Sequence, residues 1–305
     1  MKDTFSSYHP IVNMLYFIVV IVFAMFFTHP VCLVISFICA FLYSVYLTGR
    51  KALKFNLVFM LPMLIITALI NPLFNHQGAT ILAYLPGGNP LTFESVIYGI
   101  IAALMLITVI SWFSCFNKIM TSDKFVYLFG RIIPALSLIL SMALRLVPRF
   151  QAQIKIISNA QKCVGRDISG GSLLKKMKHG IKILSIMVTW ALENAIETAD
   201  SMKSRGYGLS GRTTFSVFTF KKRDFYALIY IFLCGIYVFT GSLKGGLYFK
   251  YFPAIEGVLT GLYTFSLFLV YFALCAAPLI INILEDIKWA ALQSRAQTQS
   301  QIKTQ

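Results

Sequence analysis

The sequence predicts an all-α polytopic membrane protein with about six transmembrane helices and two long helices in a basic segment on the cytoplasmic side. Three observations predict it. Charged residues make up only 12% of the 305 residues and hydrophobic ones 58%, where a soluble domain carries roughly 25% charged residues. The uncharged residues gather into runs long enough to cross a bilayer. The positive charge, 27 Lys and Arg against 11 Asp and Glu, gathers elsewhere. This balance excludes an ordinary soluble enzyme and a disordered tail. It also argues against a nucleic-acid partner despite the net charge of +16, because basic nucleic-acid binders are rarely so apolar.

The spans follow from the runs. No Asp, Glu, Lys or Arg occurs in 4–49, 55–93, 95–117, 225–243 or 257–284. About 20 helical residues cross about 30 Å of hydrocarbon, so 4–49 is too long for one span. It breaks at Thr28-His29-Pro30, where Pro30 cannot continue the first helix. The expected spans are 11–27, 31–48, 55–73, 95–115, 225–243 and 256–283. No cleavage site is apparent near residue 30, so the first stretch is expected to be retained. Between Asn71-Pro72 and Asn89-Pro90 the chain is rich in turn residues. Ile132 to Leu144 is apolar but only 13 residues long, which fits a buried or half-inserted helix rather than a crossing.

Orientation follows from the loops. Two positive residues, Lys244 and Lys250, fall in one set of loops and 25 in the other. The positive-inside rule then puts both termini in the cytoplasm. The expected organisation is membrane helices in 1–117, a cytoplasmic or interfacial segment in 118–223, two further membrane helices in 224–284, and a polar tail in 285–305. The six cysteines form no CxxC pair and the four histidines are scattered, so no metal site and no cofactor is expected.

Residues 145–223 hold 15 of the 27 basic residues and 4 of the 11 acidic ones. Lys175, Lys176 and Lys178, and Lys221, Lys222 and Arg223, abut apolar stretches and are expected to meet anionic lipid head groups. The rest reads as two amphipathic helices with glycine stops. The first runs from Val147 or Pro148 to Val164 and stops at Gly165, with Phe150, Ile154, Ile157, Ala160 and Val164 on one face. The second runs from Leu184 to Arg205 and stops at Gly206 and Gly208, with Met187, Ala191, Ala195, Ala199 and Met202 as its stripe. Gln161-Lys162-Cys163-Val164-Gly165-Arg166 parallels Met202-Lys203-Ser204-Arg205-Gly206-Tyr207. An arginine at such a tip can cap its own helix or make bidentate bonds to a partner.

Several signatures are missing. There is no GxxxxGK[ST] loop, and the uncharged runs carry no acidic residue to relay protons or sodium. No catalytic constellation is apparent. The chain reads as a membrane part that takes its energy from elsewhere.

The helix-end motif Ala199-Asp200-Ser201-Met202-Lys203-Ser204-Arg205-Gly206-Tyr207-Gly208, followed by Gly211-Arg212-Thr213, resembles the second coupling motif of the transmembrane T component of energy-coupling factor (ECF) transporters. Asn71-Pro72-Leu73-Phe74-Asn75-His76 with Gly78, and Ser7-Tyr8-His9-Pro10, are also similar to that family. The resemblance implies two ABC ATPase subunits and a substrate-binding S component as partners. It implies uptake of vitamins or metal ions across a prokaryotic cell membrane, with ATP hydrolysis on the partner chains. Ser204, Arg205 and Gly206 would dock into one ATPase. At the first tip Val164-Gly165 departs from the family's small-Arg-small pattern: Arg166 substitutes from two residues later, or this contact is largely apolar, or the chain is a divergent paralogue with one weakened ATPase contact. His9 stands where most members have an acid. Two other readings are a membrane enzyme acting on lipid head groups, with Glu193, Glu197 and Asp200 as candidates, and a stand-alone secondary transporter.

Overall fold

The computed structural model describes residues 3–84, 90–130, 134–165, 173–209, 218–257 and 261–303. They are almost entirely helical. The chain divides into two compact units, residues 1–121 with 218–305, and residues 122–217.

The first unit carries the apolar helices, and the protein is a multi-pass membrane protein. α1 (Pro10–Phe26), α2 (Pro30–Thr48), α3 (Arg50–Phe55) and α4 (Leu61–Phe74) are followed by α5 (Phe93–Ile119). Each of α1 and α2 opens on the same device. Pro10 and Pro30 sit at the first helical position, where their missing N–H would have no partner. His9 and His29, both buried, cap the ends: Nδ1 of each accepts the N–H of Ile11 or Val31 at 3.3 Å. The two His-Pro pairs are therefore helix starts.

The third span differs from its expected form. It begins at Arg50 and passes through a π-helical stretch, Asn56–Met60, before α4. Pro62 follows directly and cannot donate back to Val58, so the helical ladder adjusts there. Pro72 likewise leaves the Ala68 carbonyl without its helical donor, and Gly99 of α5 lies against that carbonyl, where a Cβ would stand only 2.6 Å away. A glycine is required at this crossing because the two backbones meet.

α5 packs against α1, α2 and α4. Its Trp112 is fully buried, and its indole N–H donates to Ser36 Oγ at 2.9 Å. Small residues on α2, Ser36 and Ala40, make room for that ring and for Cys115.

At one end of these spans a short hairpin, β1 (Ile81–Tyr84) with β2 (Pro90–Thr92), is anchored by buried Glu94. The Glu94 carboxylate accepts Thr80 Oγ1–H at 2.6 Å and the Thr80 N–H at 3.2 Å. Gly78 packs under it, where a side chain would strike Glu94 and Thr92.

The remaining elements of this unit are α9 (Lys222–Leu243), a second short ladder of β3 (Phe249–Lys250) with β4 (Glu256–Gly257), and α10 (Leu262–Lys303). Expectation and structure differ twice here. The last span begins at Leu262 because 256–257 belong to β4. The region beyond 284, expected only as a polar tail, continues α10 without a break to Lys303. Inside α10, Pro278 cannot donate to the Leu274 carbonyl. Buried Tyr16 of α1 satisfies it, its hydroxyl donating to Leu274 O at 3.2 Å and Cys275 O at 3.1 Å. In a bilayer a carbonyl released by proline needs such a partner.

The second unit contains α6 (Ser122–Gly130), α7 (Pro134–Cys163) and α8 (Leu173–Ser204). Both long helices start earlier than the sequence predicts. From Pro134 on, the apolar run up to Leu144 forms the first third of α7, which passes through Pro148 without ending; Ile132 and Ile133 lie outside the described residues. α8 takes in Lys175, Lys176 and Lys178 at its beginning. Arg145 and the lysines bound an apolar run, and a charge does not end a helix.

Candidate functional site: two helix tips and a basic turn

α7 and α8 cross through a small apolar cluster of Ile157, Ile183 and Met187, with Phe150, Ile186 and Trp190 around it. Phe150 and Trp190 meet edge to face at 5.7 Å between centroids. Arg149 donates to Asn194 Oδ1 at 3.1 Å and lies over the Trp190 ring. From Arg149 to Ile157 along α7, the partners on α8 therefore run backward from Asn194 to Ile183. The two C-terminal tips leave the crossing in opposite directions. At 1.5 Å per residue they end up to about 40 Å apart.

The tips share one construction. At α8 the Gly206 N–H donates to Lys203 O at 2.9 Å and the Tyr207 N–H to Met202 O at 2.9 Å, with Gly206 at φ +75°. This is a Schellman cap, which needs a left-handed residue after the last helical turn. At α7 the Gly165 N–H donates to Lys162 O at 2.9 Å with φ +73°. The caps align Gly165 with Gly206, Cys163 with Ser204, and Val164 with Arg205. Val164 thus occupies the position that carries the arginine in the other tip, and it is 67% exposed. Arg166 lies outside the described residues, as do Gly211, Arg212 and Thr213.

Ser204 and Arg205 are exposed, and Ser204 Oγ–H donates back to Ser201 O at 2.9 Å. Among the described residues no hydrogen bond or ion pair engages the Arg205 guanidinium. Tyr207 and Leu209 beside it are also exposed. The tip offers a cation with five fixed donors, a small residue on either side, and an apolar patch. Replacing Gly206 with Ala puts a Cβ 3.0 Å from Leu209 Cδ1 and a side chain on a left-handed residue, a cost of about 1–2 kcal/mol. The Gly206 and Tyr207 amides are then expected to exchange with deuterium roughly 5- to 30-fold faster, with little change elsewhere in α8.

The lysines and Arg223 assigned to lipid fall in two places. Lys175, Lys176 and Lys178 lie in the first two turns of α8, with Lys175 and Lys178 exposed. Lys221 caps α9, and both it and Lys222 are exposed. Arg223 is engaged by its own chain. Its Nη2 donates to Ser7 O at 2.6 Å and Ser7 Oγ at 2.9 Å, and its guanidinium lies 4.7 Å over the Tyr8 ring. Partial burial pushes the Tyr8 phenol above its ordinary range, and the Arg223 charge pulls the other way.

Beside this contact, Asp224 was not singled out by the sequence. It is 1% exposed and accepts the His9 N–H at 3.2 Å and the Lys221 N–H at 2.8 Å. A carboxylate therefore does stand at the Tyr8-His9-Pro10 turn, brought there from α9. The strap continues through Asn282, whose Oδ1 accepts the Phe5 N–H at 3.0 Å and whose Nδ2 donates to Asp3 at 2.6 Å. Only the isolated acid-base pair Arg223-Asp224 next to a helix start could have signalled it in the sequence.

The sequence profile of the CbiQ family, described as cobalt transport protein, matches residues 3–217. Curated proteins named energy-coupling factor transporter transmembrane protein EcfT are also similar. That of Lactobacillus helveticus is 38% identical over 99 residues, 32% of this chain and 36% of the relative. That of Lactococcus lactis subsp. cremoris is 36% identical over 108 residues, 35% of this chain and 41% of the relative. That of Streptococcus equi subsp. equi is 34% identical over 105 residues, 34% and 39%. The matched stretch thus spans about two-fifths or less of each relative's length.

Proposed function

Because this chain belongs to the CbiQ family of cobalt transport proteins, we propose that it is the non-catalytic transmembrane coupling subunit of an ECF-type importer. In this reading two partner ABC ATPases hydrolyse ATP on the cytoplasmic side. The α7 and α8 tips carry their motion to a membrane-embedded S component that holds a vitamin or metal ion. The termini and residues 118–223 face the cytoplasm, and the helices of 1–117 and 224–284 form the membrane body.

The observation that carries this reading is the pair of tips. Two helix ends of the same capped construction point away from one crossing, far enough apart to engage two separate subunits. Arg205, between Ser204 and Gly206, docks into one ATPase by bidentate bonds to carboxylates or backbone carbonyls. The other tip meets its ATPase through Val164 and Gly165, with Arg166 following. Lys175, Lys176 and Lys178 at the opposite end of α8 hold anionic head groups, as do Lys221 and Lys222.

The test is co-purification in mild detergent of the tagged chain from its native host. Recovery of two ATPases and a small membrane subunit, with uptake into proteoliposomes that needs ATP, is the expected result. Uptake by the isolated chain would make it a secondary transporter, and conversion of lipid head groups by the isolated chain would make it an enzyme.

A further inference from the structure

α1 and α9 separate along part of their length and leave a groove of about 250 Å³ lined by Leu15, Val19, Phe23, Phe232, Gly235 and Phe239, among others. Every side chain in that wall is hydrocarbon. The groove lies within both spans, so it opens to the bilayer core and not to water.

Gly235 makes the gap. The other helical glycine of α9, Gly241, is forced by packing, because a Cβ there would strike buried Leu267. At Gly235 the nearest atom to a Cβ is Val19 Cγ1 at 3.7 Å, an ordinary contact, so neither backbone geometry nor crowding requires glycine. Glycine is also the poorest helix former after proline. Its effect at this position is to leave a slot.

The slot has the section of one hydrocarbon chain. Ile231 to Phe239 covers about 12 Å of helix, so the volume corresponds to a section of ~20 Å², against roughly 80–110 Å² for an α-helix 10–12 Å across. A single acyl chain fills such a section, whereas a neighbouring helix would enter it only by its side chains.

The charge at the ends says which lipid and from which side. Lys221, Phe225, Leu228, Phe232, Gly235 and Phe239 recur at steps of four and three, so one face of α9 runs from the exposed Lys221 into the slot. Lys222 is exposed beside it. Lys244, at the far end of α9, falls on the opposite side of the helix. Gly235 stands about 21 Å from Lys221 along the axis, which matches the roughly 20–22 Å from the head-group surface to the midplane of a bilayer about 40–45 Å thick. Asp224 does not repel the head group: Arg223 lies beside it and it is turned inward on His9 and Lys221.

We infer that the α1–α9 groove is a binding site for an anionic phospholipid, with one acyl chain against Gly235 and its phosphate on Lys221 and Lys222. The test uses the full chain in phosphatidylcholine nanodiscs doped with phosphatidylglycerol that carries a photoreactive group at its acyl terminus. Adducts are expected within 15–23 and 231–239. The same group on phosphatidylcholine is expected to label about 5- to 30-fold less, at about fivefold per lysine. Lys221→Ala with Lys222→Ala removes that preference. Gly235→Leu fills the slot and removes the adducts, whereas Gly235→Ala keeps them. Equal labelling by the two lipids overturns the head-group assignment, and undiminished labelling of Gly235→Leu overturns the site. Loss of the adducts in the complex with its co-purified partners would show that a protein covers the groove, and would also overturn it.

Discussion

Arg205→Glu is expected to abolish both ATP-driven uptake and recovery of an ATPase with this chain, while membrane insertion and thermal stability stay unchanged. The side chain is exposed and free of hydrogen bonds to its own chain among the described residues, so little folding energy depends on it. On the proposed reading its contribution falls on the interface with an ATPase. Removing one partner of a hydrogen-bonded charge pair at an interface costs about 2–5 kcal/mol, or roughly 30- to 5,000-fold in affinity. Reversal adds repulsion. Arg205→Lys keeps the charge and loses the planar fork, so an intermediate loss is expected. Pull-down of the ATPases and proteoliposome uptake read both effects. Full assembly of Arg205→Glu with its ATPases would remove the residue from coupling. Arg166→Ala is the companion variant: a smaller loss assigns it the second contact, and no loss assigns that contact to Val164.

Asp224→Ala is expected to have the largest effect on stability. Asp224 is almost fully buried, accepts two backbone N–H groups from separate segments, and sits 3.9 Å from the Arg223 Nε. Its loss strands two backbone donors, a change of about 2–4 kcal/mol. The thermal midpoint in detergent should fall by several degrees. The segment before Pro10 should become sensitive to protease, because the His9 and Ser7 contacts share the same anchor. Asp224→Asn keeps an acceptor and should lose about half as much. An unchanged midpoint and an intact N terminus in Asp224→Ala would show that the strap is held by Phe5 and Asn282 alone.

The membrane body was legible because bilayer physics writes itself into composition. Uncharged runs locate the apolar helices to within a few residues, except at the start of the third and at both ends of the last, and Pro30 marks the first turn. Glycine stops are equally local signals, and Gly165 and Gly206 both hold the left-handed cap. What could not be read was continuity. Proline in a helix removes one donor, and whether the helix survives depends on what satisfies the freed carbonyl. Tyr16, 258 positions away from Leu274 in sequence, does that for Pro278. Pro148 sits in α7 with exposed neighbours, a circumstance no pattern of residues announces. Asp224 was missed for the same reason: the His9 N–H it anchors lies 215 residues away and, like the nearby Lys221 N–H, is a backbone group, which carries no sequence signature. The alignment of Val164 with Arg205 was already set by the parallel of 161–166 with 202–207, and the glycine caps at Gly165 and Gly206 keep the same register.

The continuity of α8 has a mechanical consequence. The helix is a beam about 48 Å long, resting near its middle on Phe150 and Ile157 of α7. Arg205 ends one arm of about 25 Å, and Lys175 lies on the other at about 20 Å. A beam with nearly equal arms reverses direction without amplifying it. A rigid tilt about that contact would move the arginine end and the lysine end by similar amounts in opposite directions, with no part of the helix unfolding.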